Sequence, residues 1–362
     1  MLEKIVQPLM MWYDKNKRQL PWREKKNPYE IWVSEIMLQQ TRVEAVKPFF
    51  LRFTDALPDV HALAVCPEDQ LLKLWEGLGY YNRVRNMQKA AIRTEEEFQG
   101  TLPADYKALK SLPGIGSYTA GAIASIAYDI PVPAVDGNVL RVLARIRDDD
   151  RDILKQSLKN QVEEELLAVM PSTKPGEFNQ ALMELGATVC APNGAPHCEC
   201  CPLSELCLAR KRGHEMDLPV KKKAKERRIE KHTILVIIEG SRIAIQRRPA
   251  KGLLAGMYEF PNLEGYLSKE EVLQHVEQQQ LIPQSIQKLP RSRHVFSHVE
   301  WHMDGYLISV TSRESQQGKP DGDLIFADLE TAQEQYAIPA AYAAYARYLN
   351  LFLGQERYEV KE

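Results

Sequence analysis

A chain of 362 residues is too long for one average domain, so two domains is the starting expectation. Its 47 basic and 49 acidic residues leave a formal charge of −2, so any basic surface for nucleic acid must be local. The composition is that of a soluble globular protein, and no stretch is apolar for long enough to span a bilayer. Charges and Pro8 interrupt the first twelve residues, which lack a cleavable signal pattern; a cytoplasmic protein is expected.

Residues 1–213 read as mostly helical. Asn27-Pro28-Tyr29-Glu30 is a helix start, with Asn27 as cap, Pro28 at the first helical position and Glu30 placed to close a capping box. The helix carries Ile31, Trp32, Ile36 and Leu38 around Glu35. A carboxyl in such company is either desolvated, and so kept protonated as a proton donor, or turned to solvent or an arginine. Gln39-Gln40-Thr41 follows, a polar cluster that either probes bases or ends the helix. Gly77-Leu78-Gly79-Tyr80-Tyr81, with Arg83 and Arg85 beyond, suits contact with a nucleic-acid strand or a plain helix cap.

Ala104 to Leu112 reads as a short helix that Pro113 stops, and Tyr118 to Tyr128 as a second, rich in small residues. Gly114 and Gly116 between them permit a tight turn and a close backbone approach. With Ser117 they leave free N–H groups at the start of the second helix, a site for a backbone phosphate. An ordinary helix–helix turn uses the same punctuation. Asp136 opens a further helix with Val139, Val142, Leu143 and Ile146 along one face. It serves as an N-cap, as a negative charge beside an electron-poor carbon, or as both.

The helix around Phe178-Asn179-Gln180-Ala181 precedes a cysteine-rich stretch. Cys190, Cys198, Cys201 and Cys207 form a C-x7-C-x2-C-x5-C pattern, while Cys66 stands apart. Clustered cysteines in a reducing compartment point to metal before disulfides, here a [4Fe–4S] cluster or zinc. Residues 216–231 read as a basic linker with Lys221, Lys222, Lys223, Lys225, Arg227 and Arg228. From His232 the hydrophobic period changes. Thr233–Ile238 and Ile243–Ile245 predict a hairpin, His302–Val310 a further strand. A late helix starts at Pro339, with Tyr342, Tyr345, Leu349 and Phe352 on one face. This is a separate α+β domain over 232–362, following an all-α domain over 1–215.

The motifs in this order resemble the A/G-specific adenine DNA glycosylases, the MutY family of the endonuclease III superfamily. The resemblance is carried by Pro21-Trp22-Arg23, Trp32–Thr41, Gly77–Tyr81, Leu112–Ala120, Val135–Val139, Phe178–Ala181 and the cysteines. In the second domain it is carried by Gly252–Pro261 and Phe296-Ser297-His298. It implies an all-α helix-hairpin-helix glycosylase region with an iron–sulfur loop and a Nudix-like α+β domain. It implies a monomer that excises adenine mispaired with 8-oxoguanine or guanine in double-stranded DNA, in a bacterial cytoplasm at the nucleoid. In this likeness Glu35 protonates N7 of a flipped adenine and Asp136 stabilises the oxocarbenium-like sugar, with Tyr118 and Asn138 in support. Trp22, Arg23 and Gln180 match the adenine pocket, and Gln40, Thr41, Leu78 and Tyr80 match residues at the lesion pair. Phe296, Ser297 and His298 match the loop that reads 8-oxoguanine, and the four cysteines match [4Fe–4S] ligands.

Two departures stand out. The first cysteine gap has seven residues where the family has six, and Cys200 sits inside the x2 gap. The segment Tyr266–Val272 lacks the Arg-Glu-x-x-Glu-Glu carboxylates that hold Mg²⁺ in Nudix hydrolases, so a reader of the lesion is expected rather than a hydrolase. Tyr118 stands where strand-cutting relatives carry a nucleophilic lysine; the expected enzyme removes the base with little or no lyase activity.

Overall fold

The computed structural model describes residues 2–222, 226–312 and 324–354. Helices α1 (Glu3–Asn16), α2 (Pro28–Met37), α3 (Val43–Ala56) and α4 (Val60–Val65) open the chain. A short α5 (Glu68–Leu74), the long α6 (Asn82–Phe98) and the pair α7 (Tyr106–Ser111) and α8 (Ser117–Tyr128) follow. Then come α9 (Gly137–Arg147), α10 (Gln156–Leu167), α11 (Pro175–Thr188) and α12 (Leu208–Arg212). The remainder runs β1 (Arg228–Glu239), β2 (Arg242–Arg247), β3 (Tyr258–Glu259), β4 (Asn262–Glu264), α13 (Lys269–Gln278), β5 (Leu281–Val295), β6 (Val299–Ser312), β7 (Leu324–Asp328), α14 (Leu329–Gln335) and α15 (Ala343–Ala346). Among the described residues no helix is long and apolar enough to cross a membrane.

These elements form two compact units, Met1–Val65 with Arg85–Lys223, and Cys66–Val84 with Ala224–Glu362. The division differs from the boundaries expected at 215 and 232. Residues 66–84 belong with the second unit. The start of the basic linker is fastened to the first unit, because Leu218 is buried and its carbonyl accepts from Arg145 Nε at 2.9 Å. The Val220 carbonyl likewise accepts from Ile153 N–H at 3.1 Å. Arg228 already lies in β1, four residues before His232. Lys223 and Lys225 fall outside the described residues.

The first unit is helix packed on helix. Ile5, Leu9 and Tyr13 recur every four residues on α1 and form one stripe. They share a core with Val139, Val142, Leu143 and Ile146 of α9 and with Phe178, Leu182 and Leu185 of α11. α2 is capped by Asn27, whose side-chain oxygen accepts from Tyr29 N–H at 2.9 Å and Glu30 N–H at 3.4 Å. Only half of the expected capping box forms, because the Glu30 carboxylate meets the Asn27 side-chain amide at 3.4 Å instead of its backbone N–H.

The small residues of α8 have a packing reason. A Cβ on Gly121 would stand 2.1 Å from the Pro133 carbonyl oxygen, so only glycine lets the chain before Asp136 lie against this helix. That extended chain makes its backbone hydrogen bonds with a side chain. Asn179, fully buried on α11, accepts from Ala134 N–H at 3.1 Å and donates to the Val132 carbonyl at 2.9 Å and to Ser125 Oγ at 2.8 Å.

The second unit is a seven-stranded mixed sheet with the order β3-β2-β1-β6-β5; β4 also pairs with β1 and β7 with β2. β1 and β6 run parallel, and the other pairs are antiparallel. The β-branched run of β1 is buried on both faces, which explains its lack of polar alternation. Ile234 and Val236 face Tyr342 and Tyr345, while Leu235 and Ile237 face Val272 and Val276 of α13. The late helix is broken: Ala340–Tyr342 and Arg347–Leu349 are 3-10 turns around α15, and Asn350 turns left-handed at φ 56°. Tyr342 and Tyr345 are buried as expected, but Phe352 lies beyond the break and is exposed. The Tyr345 ring occupies the space that a Cβ on Gly305 would need, 2.2 Å away.

Replacing Asn179 with alanine strands the buried Ala134 N–H and the part-buried Val132 carbonyl. We expect a loss of roughly 3 kcal/mol in the stability of the first unit, read by urea denaturation. An unchanged midpoint would show that water replaces the amide there.

Candidate active site

The site begins with a helix that has almost no solvent face. Every residue of α2 from Ile31 to Met37 is buried, Glu35 included at 6 % exposure. Among the described residues its close partner is the Tyr118 hydroxyl, which donates to Glu35 Oε2 from the first turn of α8. Burial pushes the Glu35 carboxyl up to about 7. The Tyr118 hydrogen bond opposes that rise, the charge of Asp136 adds to it, and Arg23 opposes it. Burial and the charge of Glu35 hold the Tyr118 hydroxyl well above its ordinary value, so it stays a donor.

Asp136 is the N-cap of α9, as its position before an apolar-periodic run implied. Its Oδ1 accepts from Val139 N–H at 2.8 Å and its Oδ2 from Asn138 Nδ2 at 2.7 Å. Burial raises this carboxyl too, but the N–H groups of Val139 and Asn138, the Asn138 amide and the Arg141 charge all work against the rise. The two carboxyls therefore sit in unlike surroundings, one facing a hydroxyl and apolar chains, the other facing fixed donors. Asn138 is itself oriented, since Arg141 Nη2 donates to its Oδ1 at 2.9 Å and to the Gly186 carbonyl at 2.8 Å. The same arginine donates through Nε to the Cys190 carbonyl at 2.9 Å.

Both carboxyls open on one cleft of about 1060 Å³, lined also by Trp22, Arg23, Gln40, Thr41, Tyr118, Asn138 and Gln180. The structure thus brings nine of the residues singled out in the sequence to one place. Trp22 is buried edge-on against Phe50 at 5.3 Å between centroids. Arg23 Nη2 donates to Glu184 Oε2 at 2.9 Å, and Arg18 spans the same carboxylate, with Nε to Oε1 at 2.6 Å and Nη2 to Oε2 at 3.0 Å. Burial pushes Glu184 up, but the two arginines outweigh it and keep its carboxyl below the usual range. Glu184, Arg18 and Arg141 were not singled out from the sequence. The one available signal was spacing, for Glu184 is one helical turn beyond Gln180 and shares its face.

Gly114, Gly116 and Ser117 form the turn between α7 and α8. Gly114 has φ +74° and its missing Cβ would meet Asn86 at 2.7 Å, so conformation and packing both demand glycine. Gly116 has an ordinary φ of −85° and open space around its Cβ position. It caps α8 with no side-chain hydrogen bond, leaving the helix N-terminus clear for a close ligand. The Ser117 hydroxyl donates to Glu163 at 2.7 Å.

Cys190, Cys198, Cys201 and Cys207 line one small cavity with Val142, Ile146, Leu185 and Arg145. Arg145 Nη1 lies 3.3 Å from Cys190 Sγ. Burial pushes the thiols of Cys198, Cys201 and Cys207 up, Cys201 to about 12, while the Leu203 N–H faces Cys201 and those of Ala209 and Arg210 face Cys207. Among the described residues no three such side chains stand close enough to hold a single metal ion, but four soft donors around one cavity, with N–H groups aimed at two sulfurs, are the donor set of an iron–sulfur group, whose charge would hold them as thiolates. Cys200 is exposed, turned to the His197 carbonyl, and does not line this cavity.

Leu78, Tyr80, Phe296, Ser297 and His298 all belong to the second unit. Leu78 is buried and Tyr80 exposed at φ +48°. Residues 296–298 form the β5–β6 turn, closed by Phe296 N–H to the Val299 carbonyl at 2.8 Å. Phe296 packs on His294 and Trp301, with centroids 4.6 and 4.9 Å away, while Ser297 and His298 are exposed. Arg227 Nε donates to the Phe296 carbonyl at 3.1 Å and Arg228 N–H to that of His298 at 3.1 Å. The last two arginines of the expected linker therefore hold this turn.

A helix-hairpin-helix ahead of a helix-capping aspartate, with a buried glutamate on the same cleft, defines the helix-hairpin-helix class of base excision DNA glycosylases. A profile described as HhH-GPD superfamily base excision DNA repair protein matches residues 33–171, and a NUDIX domain profile matches 233–347. A thermostable thymine-DNA glycosylase structure is similar at 27% identity and a TM-score of 0.53, covering 58% of this chain and 97% of that one. The adenine DNA glycosylase of Rattus norvegicus is 34% identical over 83% of this chain and 70% of its own length. That of Buchnera aphidicola subsp. Schizaphis graminum is 33% identical over 91% and 94%. The chain belongs to the adenine DNA glycosylase family, the MutY family, and is a base excision repair glycosylase that hydrolyses N-glycosyl bonds in DNA.

Since Asp136 raises Glu35, Asp136→Asn should lower the pH at which Glu35 ionises from its value of about 7. Asparagine caps a helix as well as aspartate does, so the fold is kept. The carboxyl stretching band in infrared titration reads the change; an unmoved midpoint would mean that the two groups do not sense each other.

Proposed function

We propose that this enzyme removes adenine mispaired with 8-oxoguanine or guanine in double-stranded DNA, as a monomer. The observation that carries the proposal is the pair of unlike carboxyls, Glu35 and Asp136, on one cleft. Adenine is a poor leaving group until protonated. Protonated Glu35 donates to N7, the C1′–N9 bond breaks with its electron pair leaving on the base, and the sugar becomes an oxocarbenium-like cation. Asp136, whose donors favour its ionised form, faces that cation and stabilises it, and water adds at C1′ while its proton passes to the carboxylate left on Glu35. Tyr118 orients Glu35, and Asn138 orients Asp136.

The target base must leave the stack to reach the cleft. Trp22, Arg23 and Gln180 frame its pocket, and Gln40, Thr41, Leu78 and Tyr80 act at the vacated pair. Gly114, Gly116 and the N–H of Ser117 take a backbone phosphate at the N-terminus of α8. The exposed Ser297 and His298, on a turn buttressed by Phe296, read 8-oxoguanine in the opposite strand. Cys190, Cys198, Cys201 and Cys207 hold a [4Fe–4S] cluster; when bound, it joins the loop 190–207 into one crosslinked piece.

Single-turnover release of adenine tests the reading. We expect fast release opposite 8-oxoguanine, slower opposite guanine, none opposite thymine, and loss by about 10²–10⁴-fold in Glu35→Gln with binding retained. The donor is the protonated form, so the rate should hold below about pH 7 and fall above it as Glu35 ionises. Release that ignores the opposite base would remove Ser297 from the proposal while leaving the glycosylase.

Tyr118 has no amine, so no Schiff base with the sugar can form there. Borohydride added during turnover should trap no stoichiometric protein–DNA adduct; a trapped adduct overturns the monofunctional assignment.

A further inference from the structure

The second unit contains a buried polar anchor that the proposed chemistry does not use. Glu76 follows α5 and is 1 % exposed; its Oε1 accepts the Ile338 N–H at 3.1 Å. Lys73 Nζ lies 2.6 Å from Glu76 Oε2 and donates to the Tyr336 carbonyl at 2.8 Å. At the start of α5, Asp69 receives Arg247 at 2.7 Å and the Tyr258 hydroxyl at 3.4 Å. Burying a carboxylate and an ammonium gains little net stability even when they pair, so stability alone does not account for this pair. Here it fixes α5 to the backbone of 336–338.

What α5 carries is the turn from Gly77 to Tyr80. The turn is tightly shaped, with φ +100° at Gly77, +67° at Gly79 and +48° at Tyr80. Its form is held locally: the Trp75 indole donates to the Gly79 carbonyl at 3.1 Å, and Arg83 Nη2 to those of Leu78 and Gly79 at 2.9 and 3.1 Å. Trp75 and Arg83 thus set the shape of the turn, and Glu76 and Lys73 set its place.

We propose that Glu76 and Lys73 are positioning residues for base extrusion. They fasten the Leu78–Tyr80 turn to the unit that carries the Phe296–His298 turn, so that the strand holding the target and the strand holding the lesion are gripped by one piece. The inference rests on the reading of Leu78 and Tyr80 at the target pair.

The test is single-turnover adenine release by the full chain with Glu76→Gln and Lys73→Met. Two duplexes carry adenine opposite 8-oxoguanine; in one the adenine's neighbours are abasic, so little stacking must be broken. We expect release from the stacked duplex to fall about tenfold and release from the relieved duplex to change by less than about twofold. Equal loss on both, or no loss on either, overturns the proposal. If Glu76→Gln does not fold, Lys73→Met carries the test, because it leaves the Glu76–Ile338 bond in place. The pair Leu78→Ala with Tyr80→Ala separates the two levels of the argument. If it too ignores stacking, the turn has no part in extrusion and the underlying reading fails. If it responds to stacking while the anchor variants do not, the anchor proposal alone fails.

Discussion

A carboxylate on a helix with almost no wet face is the constraint from which the first unit follows. Glu35 is surrounded by the apolar chains of α2 and meets one hydroxyl, so its charge is disfavoured wherever the fold is intact. Keeping that state requires α8 to bring Tyr118 against it, and α8 packs there because its residues are small. The same small residues admit the extended chain before Asp136. One helix thus sets the distance between the two acids, and a single buried amide, Asn179, holds the chain that leads to the second.

Asp136 shows how a capping residue becomes available for chemistry. Its hydrogen bonds to α9 use the lone pairs that a structural cap would use, and the same donors offset the cost of burying its charge. Behind it, Arg141 links Asn138, Gly186 and the Cys190 carbonyl, so the loop that bears the cysteines and the loop that bears the acid share one guanidinium. A change in the cysteine loop has a short physical route to the orientation of Asn138.

Much of this was legible in the residues because it depends on local rules. The Asn27 cap, the glycine turn before α8, the Asp136 cap and the double-faced β1 each follow from a few neighbouring side chains. β5 was not legible, since its fifteen residues include Pro283 and Pro290 and alternate only weakly. It lies at the edge of the sheet, where prolines and polar chains are tolerated. The late helix was misjudged because its period runs on past the point where Asn350 turns left-handed. The grip of Glu184 on Arg18 and Arg23 joins residues 166 and 161 positions apart, and nothing local announces such a pair.

The membership of residues 66–84 in the second unit has a consequence for how the chain is made. That segment leaves the ribosome well before the backbone groups at 336–338 that its Glu76 and Lys73 engage, which lie 262 and 263 residues further on. Until then its buried tryptophan and charged pair lack their surroundings. The growing chain must hold an unfinished loop within its helical part until residues 336–338 have been made. It is therefore during birth, rather than in the mature enzyme, that this stretch is most open to chaperones and proteases.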